Sequence, residues 1–365
     1  MTTHRVALAA GGTAGHVYPA LAIARAFREL AEPVQPVFIG TGDGFEARIV
    51  PRNGYALHAV AAAPLFGVGL AAKVRAGGTL CLGIVQARRV LRAQRVDMVL
   101  GLGGYASASA VLAGWSLGLR TAVHEANIEP GLTNRFLARF ADRAYVGFEA
   151  TGHGFPRSKV VVTGNPVRPD VAADTAPRRP PPGGRPFRVL VTGGSSGAPF
   201  FNAHVPGLLE QVARCGLRVE VRHQTGDCDI EGVQRRYAAA GIPAAVNSYI
   251  DDMADVYRWA DFAITRSGAA TIAELAASGL PALLVPLPTA AWDHQTANAV
   301  AFAHTGSGSW VSEHDWQPER LAERIARLLH DACAWQAASC AAQRFAPRDA
   351  ARTLVAGCIA ELNGR

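Results

Sequence analysis

The sequence has few cysteines, and their spacing does not match a metal site or a disulfide scaffold. The six cysteines include no C-x-x-C pair, and no cluster of histidines accompanies them. Zinc ribbons and disulfide-rich secreted domains are therefore excluded, and we expect small buried or half-buried thiols of a reduced cytosolic protein. The cysteines are Cys81, Cys215, Cys228, Cys333, Cys340 and Cys358.

Long hydrophobic runs are also absent. No stretch offers the ~20 uninterrupted apolar residues of a membrane span. Residues 55–72 come closest, but His58, Pro64 and two glycines interrupt them. The first apolar run, residues 6–10, is too short for a signal-peptide core and fits a first β-strand better. We therefore expect neither a spanning helix nor a signal peptide.

Acidic residues are the scarcer charged type, with 29 Asp and Glu against 36 Lys and Arg and a net charge of +7. This excess suits anionic small molecules or an acidic membrane surface. Nucleic acid is not favoured, because the sequence has no aromatic-basic RNA signature and no zinc-finger spacing. The composition is 49% hydrophobic and 18% charged, and 365 residues suffice for two globular α/β domains with full cores.

Two glycine loops of the same layout begin the two halves of the chain. An apolar strand at residues 6–10 precedes Gly11-Gly12-Thr13-Ala14-Gly15, and another at residues 188–192 precedes Gly193-Gly194-Ser195-Ser196-Gly197. Strand, glycine turn and helix, here predicted over residues 19–30, open a nucleotide-binding α/β unit. NAD binding is not favoured, since G-x-G-x-x-G and its acidic partner are missing. The repeat predicts two Rossmann-like domains facing each other across a cleft.

The segment between these halves, residues 174–186, has the composition of a surface linker. It contains five prolines and the pair Gly183-Gly184. Such segments seldom enter helices or sheets. We therefore place the connection between the two domains there.

Glycine and polar residues also follow two other predicted strands of the first half, at residues 96–100 and 121–124. Ligands of parallel sheets bind beyond the carboxyl ends of the strands, so we expect these residues to lie with His16 at one edge. Any one of them alone would more often be a packing residue. The strand-end residues are Gly103, Gly104, His124, Glu125 and Asn127.

The stretch from residue 264 to residue 298 has the layout of a phosphate-binding turn. An apolar strand at residues 262–265 leads into Ser267-Gly268-Ala269, and Thr271 and Glu274 then have the spacing of a capping box. Unpaired N–H groups and the dipole at a helix start attract phosphate, and a carboxylate one turn inside suits ribose hydroxyls. The alternative is an ordinary capped turn with a salt-bridging Glu.

Asp227-Cys228-Asp229 has the D-x-D spacing with which some sugar transferases hold a divalent metal. The motif lies in a predicted loop, and no third ligand is evident. A hard cation needs several oxygen ligands, so a solvated turn is the favoured interpretation. We predict no metal site.

An apolar segment broken by glycines lies beside basic residues and predicts contact with a membrane. Such a segment can lie on an anionic bilayer. The alternative is a loop packed on the core beside a solvated basic helix face. The candidate membrane residues are Leu65, Phe66, Val68, Leu70, Lys73 and Arg75, followed by Arg88, Arg89, Arg92 and Arg95.

Six short motifs are more specific together than any one alone. They are His124-Glu125-Ala126-Asn127, Gly164-Asn165-Pro166-Val167-Arg168, Gly193-Gly194-Ser195, Ile250-Asp251-Asp252-Met253, Arg266-Ser267-Gly268-Ala269 and Asp293-His294-Gln295-Thr296-Ala297-Asn298. This set resembles the MurG family, the peripheral membrane N-acetylglucosaminyltransferases of peptidoglycan synthesis. The resemblance runs in consistent order from about residue 6 to residue 298.

The resemblance implies a GT-B fold with two Rossmann-like domains. Residues 1–165 would form the acceptor and membrane domain, on which a terminal helix of about residues 347–365 packs back. Residues 166–346 would bind UDP-GlcNAc.

The resemblance also implies the reaction. GlcNAc would pass from UDP-GlcNAc to the C4 hydroxyl of MurNAc in lipid I, undecaprenyl-pyrophosphoryl-MurNAc-pentapeptide, and form lipid II. The anomeric configuration inverts, with no covalent enzyme intermediate and no cofactor. The protein would lie peripherally on the cytoplasmic face of the inner cell membrane and serve cell wall biogenesis, cell shape and cell division. Contacts with other cell-wall synthesis proteins are a further implication.

The family's site residues carry over by position. His16 would be the catalytic base, since an imidazole can take a proton near neutral pH. Ile250 would present its backbone to uracil, Glu274 would bind ribose and Gln295 would bind GlcNAc. The diphosphate would be held by Ser195, Ala269, Ala270, Thr271, Ile272 and Ala273. The other donor contacts would be Thr13, Ala14, Gly15, Asn127 and Arg168, and the acceptor-side residues Gly103, Gly104, Tyr105 and Glu125.

The chain departs from the family pattern mainly in its first half. Ala14 and Ala108 stand where glycine is usual, and Ala126 where glutamine is usual; Ser196 and Pro199 differ in the second half. An added β-carbon at Ala14 or Ala108 would narrow the space for an acceptor diphosphate. The alternatives are therefore a GT-B UDP-sugar transferase with another lipid or small-molecule acceptor, and a hydrolytic UDP-GlcNAc 2-epimerase. From another class, the chain could be a non-catalytic nucleotide-sugar-binding membrane scaffold.

Overall fold

The computed structural model describes residues 4–31, 34–63, 70–172, 178–194, 196–345, 347 and 349–364. The chain divides into two compact units. The first consists of Met1–Arg168 and Pro347–Arg365, and the second of Pro169–Ala346. The division falls three residues after the expected boundary at residue 165, and the chain returns to the first unit for its last helix.

Each unit is built on a parallel sheet whose central strands are largely buried and apolar. Parallel strands are apolar on both faces because helices cover both faces of the sheet. The strands of the first unit lie in the order β3-β2-β1-β4-β5-β6-β7, and those of the second in the order β10-β9-β8-β11-β12-β13. They are β1 Arg5–Ala9, β2 Gln35–Gly40, β3 Leu57–Ala59, β4 Met98–Gly101, β5 Arg120–Glu125, β6 Arg143–Val146, β7 Val160–Val162, β8 Phe187–Thr192, β9 Val219–Gln224, β10 Ala244–Asn247, β11 Phe262–Thr265, β12 Ala282–Leu284 and β13 Gly308–Trp310. The predicted Rossmann-like fold is confirmed for both units.

Helices connect successive strands. In the described part of the chain they are α1 Ala14–Arg28, α2 Phe45–Arg52, α3 Leu70–Ala93, α4 Tyr105–Ser116, α5 Leu132–Leu137, α6 Pro169–Ala172, α7 Pro199–Arg214, α8 Ile230–Ala239, α9 Met253–Trp259, α10 Ala269–Ser278, α11 His294–His304, α12 Pro318–His330, α13 Ala332–Phe345 and α14 Ala350–Asn363. None of the helices described is long and apolar enough to cross a membrane.

Helix α1 begins five residues earlier than predicted. We expected it to start at Pro19, but the structure places Pro19 inside the helix, where it is buried. The missing N–H of Pro19 removes only one intrahelical hydrogen bond, so the preceding turn can still be helical. As a result, His16 lies in the first turn of α1 and not in a loop.

Helix α14 completes the core of the first unit although it is the last element of the chain. Leu354, Val355 and Cys358 are fully or almost fully buried in the same cluster as Val6 and Leu8 of β1. The chain therefore cannot close this core until residue 362, the last buried position of α14.

The second unit has its own core between β8, β9, α7 and α12, and an ion pair at its edge. The buried carboxylate of Asp261 accepts hydrogen bonds from both terminal nitrogens of Arg185, at 2.6 and 2.9 Å, and from the N–H of Arg188. Arg178 donates to the carbonyl of Ala260. The described part of the predicted linker, from residue 178, is thus fixed to the second unit; residues 173–177 lie outside the described residues.

The expectation that the cysteines are buried or half-buried is wrong for four of the six. All six are free thiols, as expected, but only Cys358 is buried and Cys340 is intermediate. The exposed ones lie on helix faces or helix ends, where a small side chain is tolerated without being packed. They are Cys81, Cys215, Cys228 and Cys333.

Candidate functional site

Two glycine turns of the first unit come together at the carboxyl ends of neighbouring strands. Strands β1 and β4 pair in parallel, so the turn after β1 lies beside the turn after β4. A β-carbon at Gly103 would lie 2.6 Å from Cδ2 of His16, and one at Gly104 would overlap the carbonyl of Gly11. Both glycines have positive φ, at +104° and +78°. The structure therefore brings His16, Gly103 and Gly104 together, and side chains at the two glycines would displace His16 or the turn.

The ring of His16 is held by its own turn. Its Nδ1 lies 3.0 Å from the carbonyl oxygen of Gly11 and 3.4 Å from Oγ1 of Thr13. A carbonyl oxygen can only accept, so Nδ1 carries the proton and Nε2 of the neutral ring has a free lone pair. This is the tautomer that a proton acceptor at Nε2 requires.

Glu46, at the start of α2, is a buried carboxylate that the sequence did not single out. It is fully buried. Oε2 accepts from the N–H of Gly12 at 2.9 Å, and Oε1 accepts from the N–H and hydroxyl of Thr41 at 2.8 and 2.6 Å. Burial alone would raise the pKa of Glu46, but these hydrogen bonds hold it below its ordinary value. The group is therefore a carboxylate at neutral pH.

The loop after β5 is organised around Glu125. One carboxylate oxygen accepts from the N–H and side chain of Asn127, at 3.0 and 3.1 Å, and the other from the N–H of Gly131 and the side chain of Asn134, at 3.0 and 2.9 Å. Glu125 is buried, so its carboxylate holds the loop that carries Asn127. Both oxygens of the carboxylate are thus occupied within the protein.

His124 is a buried packing residue. Its Nε2 lies 3.4 Å from the carbonyl of Gly164. Burial lowers the pKa of His124 to about 4, against a raising effect of that carbonyl, so the ring is neutral near pH 7. Since it is only 1% exposed, it is not a candidate for proton exchange with a substrate.

The remaining predicted residues of the first unit lie at accessible positions near these turns. Tyr105 begins α4 and is 50% exposed. Arg168 places its guanidinium 4.6 Å from the ring centre of Tyr18 in α1, a cation–π contact that fixes its stem beside that helix. Gly15 and Ala14 open α1, and Thr13 is its N-cap, although its side chain accepts no hydrogen bond from an N–H group of the helix.

The glycine loop of the second unit packs against the loop after β9. Gly197 has a φ of +72°, and a β-carbon there would overlap the carbonyl of Thr225. Gln224 links this loop to the predicted uracil contact: its Nε2 donates to the carbonyl of Gly194 at 2.6 Å, and its Oε1 accepts from the N–H of Ile250 at 3.0 Å. Ser195 lies outside the described residues.

The capping box predicted at Thr271 is wrong. Helix α10 begins at Ala269, its N-cap is Gly268, and no side chain caps it. Alanines favour the helix, so it extends three residues closer to β11 and Thr271 lies inside its first turn. The N–H of Ile272 donates to the carbonyl of Gly268 at 3.0 Å. The N–H groups of Ala269, Ala270 and Thr271 precede that bond, and they have no acceptor within the helix.

Ile272 and Ala273 therefore differ from the three residues before them. Their side chains are buried, with at most 1% exposed. Their N–H groups belong to the helix, so they can act on a phosphate only through the helix dipole. Direct contact with a diphosphate is available from residues 269–271.

Gln295, in the first turn of α11, is held against the turn that begins α10. Its Oε1 accepts from the N–H groups of Ser267 at 3.3 Å and Leu287 at 3.0 Å, and its carbonyl accepts from the hydroxyl of Ser267 at 2.8 Å. Because the side-chain oxygen is bound within the protein, a ligand would meet the amide nitrogen, a donor. The backbone just before α11 is left-handed at Trp292 and Asp293.

Glu274 lies one turn inside α10 and is 6% exposed. Its Oε2 accepts from the hydroxyl of Tyr257 in α9 at 3.0 Å. Arg266, in the same turn, is buried; it donates to the carbonyls of Val285 and Pro286 and pairs with Glu313. The turn after β11 is therefore fixed by the hydrogen bonds and the ion pair of Arg266, and the helix that follows it by the hydrogen bond of Glu274.

The D-x-D segment is part of a helix cap. Oδ1 of Asp229 accepts from the N–H of Gly232 at 2.8 Å at the start of α8. Within the described part of the chain, no group of three or more His, Cys, Asp or Glu side chains could hold a metal ion.

The predicted membrane segment lies mostly beyond what the structure describes. Leu65, Phe66 and Val68 lie outside the described residues. Leu70, Lys73 and Arg75 belong to the first two turns of α3, where the backbone alone is described.

A different exposed apolar group lies further along α3. Leu82 is 53% exposed, Val85 46%, and Trp115 at the end of α4 53%. Arg88 of α3 donates to the carbonyl of Ser116, so the two helices meet beside Trp115. The exposed side chains of Leu82 and Val85, one helical turn apart, could have been found from the spacing of α3 in the sequence.

The comparisons with known proteins give one family. A model of the glycosyltransferase family 28 N-terminal domain matches residues 6–146, and one of the family 28 C-terminal domain matches residues 188–354. The chain is 37% identical over 357 residues, 98% of each chain, to the UDP-N-acetylglucosamine–N-acetylmuramyl-(pentapeptide) pyrophosphoryl-undecaprenol N-acetylglucosamine transferase of Geobacter sulfurreducens. It is 42% identical to the transferase of that name from Chromohalobacter salexigens, over 97% of this chain and 96% of the relative.

Solved structures agree in fold. The crystal structure of Acinetobacter baumannii MurG matches with a TM-score of 0.78 and 30% identity over 97% of this chain and 98% of that one. A UDP-N-acetylglucosamine 2-epimerase matches with a TM-score of 0.70 but only 14% identity, over 100% and 98% of the two chains. At that identity the second likeness concerns the fold alone.

Proposed function

The chain belongs to glycosyltransferase family 28, and from this premise we propose that it transfers GlcNAc from UDP-GlcNAc to the C4 hydroxyl of MurNAc in lipid I. The product is lipid II, so the reaction serves peptidoglycan synthesis and through it cell shape and division. The observation that carries the proposal is the turn after β11. There, α10 begins with N–H groups that no side chain caps, and Glu274 follows one turn inside the helix. The side-chain oxygen of Gln295 accepts from the N–H of Ser267, just before the same helix.

The donor half of the proposal uses this turn. The N–H groups of residues 269–271 would take the diphosphate, because they lack intrahelical acceptors and lie at the positive end of the helix dipole. Glu274, oriented by Tyr257, would accept hydrogen bonds from ribose hydroxyls. The Gln295 amide nitrogen would donate to a GlcNAc hydroxyl. The donor contacts of Ile250, Ser195, Asn127, Arg168 and residues 13–15 stay predictions.

The catalytic half uses His16. Nε2 would accept the proton of the acceptor's C4 hydroxyl as that oxygen bonds to C1 of GlcNAc. The bond from C1 to the β-phosphate oxygen breaks in the same displacement, and UDP leaves with the electron pair. One displacement inverts the anomeric carbon. The developing charge on UDP would be stabilised by the preorganised N–H groups of α10.

A transfer assay tests the proposal. UDP-GlcNAc and a synthetic lipid I analogue should give the disaccharide lipid, and H16A should reduce its rate of formation by at least ~100-fold. Absence of transfer by the wild-type protein would contradict the proposal. Release of free ManNAc without an acceptor would indicate the hydrolytic epimerase instead, and binding of UDP-GlcNAc without any turnover would indicate the scaffold.

One reason for considering another acceptor is removed by the structure. The added methyl of Ala108 was expected to narrow the acceptor space, but Ala108 is 1% exposed and belongs to the core between α4 and the sheet. Its β-carbon fills the interior and leaves the surface unchanged. Ala14, half-buried at the start of α1, is the departure that still bears on acceptor choice.

We propose further that the protein binds the cytoplasmic face of the cell membrane through α3 and α4. The exposed Leu82, Val85 and Trp115 would enter the interface, and Arg88 and the exposed Arg89 and Arg92 would face anionic lipid. The predicted residues 65–75 precede this face in the chain, and we test the two together as one surface. Contacts with other cell-wall synthesis proteins stay a prediction.

Co-sedimentation with vesicles containing phosphatidylglycerol tests this surface. The triple variant L82S/V85S/W115S should lose most vesicle binding at low salt, and L65S/F66S should weaken it. W292S is the matched control, because Trp292 is an exposed tryptophan, 67% exposed, in the second unit. Equal binding by the triple variant and W292S would exclude α3 and α4 as the membrane surface.

A further inference from the structure

One peptide group of the first unit joins a buried carboxylate to His16. The N–H of Gly12 donates to Oε2 of Glu46 at 2.9 Å, and the carbonyl of Gly11 accepts from Nδ1 of His16 at 3.0 Å. These N–H and carbonyl groups belong to the same peptide bond. Hydrogen bonds therefore link the carboxylate of Glu46 to the peptide group and the peptide group to the imidazole of His16. The carbonyl oxygen, the negative end of the peptide dipole, faces the proton on Nδ1.

The surroundings of Glu46 form a built cavity for its carboxylate. A β-carbon at Gly11 would lie 2.5 Å from Oε1, one at Gly40 would lie 2.7 Å from Cγ, and one at Gly44 would overlap the carboxylate. Three glycines thus leave space that Glu46 fills. Both carboxylate oxygens are occupied, since Thr41 donates twice to Oε1. The carboxylate has one position, and the peptide that it binds has one orientation.

Gly12 makes this orientation accessible. Its φ is +86°, a left-handed value that residues with side chains seldom adopt, and no atom lies within 4 Å of a β-carbon built there. Space is therefore not what requires a glycine; the backbone conformation is. If the peptide turned over, the N–H of Gly12 would face the ring and the carbonyl would face a carboxylate, which is electrostatically unfavourable at both ends.

We infer that Glu46 is a positioning residue for the transfer reaction. By fixing the peptide between Gly11 and Gly12, it makes the Gly11 carbonyl accept the Nδ1 proton of His16 and leaves Nε2 as the proton acceptor. The negative charge of Glu46 also polarises the peptide, which strengthens its hold on the ring. This inference rests on the proposed role of His16 as the base, and it assigns no substrate contact to Glu46.

The tautomer of His16 gives a readout independent of activity. In protein labelled with ¹⁵N-histidine, two-bond ¹H–¹⁵N correlation spectra distinguish a protonated Nδ1 from a protonated Nε2, and H16Q identifies the signal. The wild-type ring should be protonated at Nδ1. In E46Q, the side chain has no negative charge and only one acceptor oxygen for the donors of Gly12 and Thr41, so the peptide is held less firmly and the Nε2-protonated form should appear. E29Q, at an exposed glutamate of the same unit, should keep the wild-type spectrum.

Kinetics supply the second readout. We expect E46Q to lower kcat by about 10- to 100-fold, as loss of an orienting partner commonly does, with the KM for UDP-GlcNAc unchanged. E46D and E29Q distinguish the effect of losing this carboxylate from the effect of changing the protein's net charge. E46D keeps a carboxylate and should recover part of kcat, and E29Q changes only the net charge and should have the kcat of the wild type. A wild-type tautomer together with wild-type kcat in E46Q would overturn the inference.

Two further outcomes are distinguishable. If H16Q retains wild-type kcat, the proposed base is wrong, while the spectra of E46Q still decide whether Glu46 sets the tautomer. If E46Q does not fold, T41A carries the test, because it removes one donor to Glu46 and leaves the carboxylate in place. T41A should show a mixture of tautomers and a several-fold lower kcat; wild-type values for both would overturn the inference.

Discussion

Substitution of Tyr257 tests the proposed contact between Glu274 and ribose without changing Glu274 itself. Its hydroxyl donates to Glu274 at 3.0 Å, and both side chains are buried. In Y257F, Glu274 loses this donor at a net cost of about 1 kcal/mol, so the KM for UDP-GlcNAc should rise about fivefold with little change in kcat. Initial rates with varied UDP-GlcNAc measure this.

The matched control for that variant is Y237F. Tyr237 is another buried tyrosine of the second unit, and its hydroxyl meets Nδ1 of His223 at 3.0 Å instead of a proposed ligand contact. Its removal should leave the KM for UDP-GlcNAc unchanged. Equal effects of Y257F and Y237F would mean that the first acts through stability alone.

His223 predicts an acid-sensitive second unit. Burial lowers its pKa from 6.5 to about 4, so the unfolded chain binds a proton more readily than the folded one. The stabilising effect of the neutral ring is complete above pH 6.5 and is lost as the pH falls from 6.5 towards 4. The free energy of unfolding should fall by on the order of 3 kcal/mol over that range.

Urea unfolding at pH 7, 6 and 5 measures this in a W115F background, where all remaining tryptophans lie in the second unit. In H223N, whose amide can replace Nδ1 beside Tyr237, the fluorescence midpoint should depend less on pH. An unchanged pH dependence in H223N would assign the acid sensitivity to other groups.

At the residue scale, the sequence predicts best those roles that depend on a residue's neighbours in the chain. His16 was recognisable because a glycine turn precedes it. Glu46 was not, because two of its three donors are the backbone N–H groups of Gly12 and Thr41, a kind of group that every sequence possesses. Only the fold shows that the end of β1 and the start of α2 lie together.

Among the elements, the loop of Gly197 leaves no room for an added side chain. Its φ of +72° and the nearby Thr225 carbonyl both oppose a β-carbon. G197A should destabilise the second unit by about 1–3 kcal/mol from backbone strain alone, with further loss from the overlap. It should also weaken UDP-GlcNAc binding, which isothermal titration calorimetry would measure.

Gly207 is the control within the same unit. It lies in α7, where nothing is within 4 Å of an added β-carbon. Alanine is the better helix former, so G207A should raise the free energy of unfolding by about 0.5–1 kcal/mol. A destabilisation of similar size in both variants would argue against the positive φ as the cause at residue 197.

The elements themselves were largely predictable, and their ends were not. Strands such as β10 and β11 follow from apolar runs between polar turns. The start of α10 was misplaced because Gly268 takes the N-cap position without a side chain to mark it, whereas Thr271 had the spacing of a cap. The start of α1 was misplaced because a proline can lie inside a helix that its other residues favour.

For the whole molecule, α14 decides the stability of the first unit. Leu354 is fully buried beside β1 and α1, whereas the nearby Arg352 has an 80% exposed side chain. L354A should destabilise the first unit by about 2–5 kcal/mol, and R352A by far less. Hydrogen exchange should show faster opening of β1 in L354A, with β8 of the second unit unchanged. Equal acceleration in both sheets would mean that the units unfold together.

The two-unit organisation was accessible to sequence reasoning because strand, glycine loop and helix occur twice. The division at Arg168 lies three residues after the boundary that the resemblance implies, whereas the proline-rich composition indicates a later surface linker at residues 174–186. Its described part is instead anchored to Asp261 by Arg185, an ion pair between residues 76 positions apart.

The return of the chain to the first unit has a consequence for its synthesis on the ribosome. All of Pro169–Ala346 is translated before α14, so the second unit can bury its core while the first still lacks one helix. Until then, β1 and α1 present an apolar groove to the surroundings, where Leu354, Val355 and Cys358 later pack. The nascent first unit is therefore the part of this protein that a chaperone would protect, and its native core forms only once α14 has been translated.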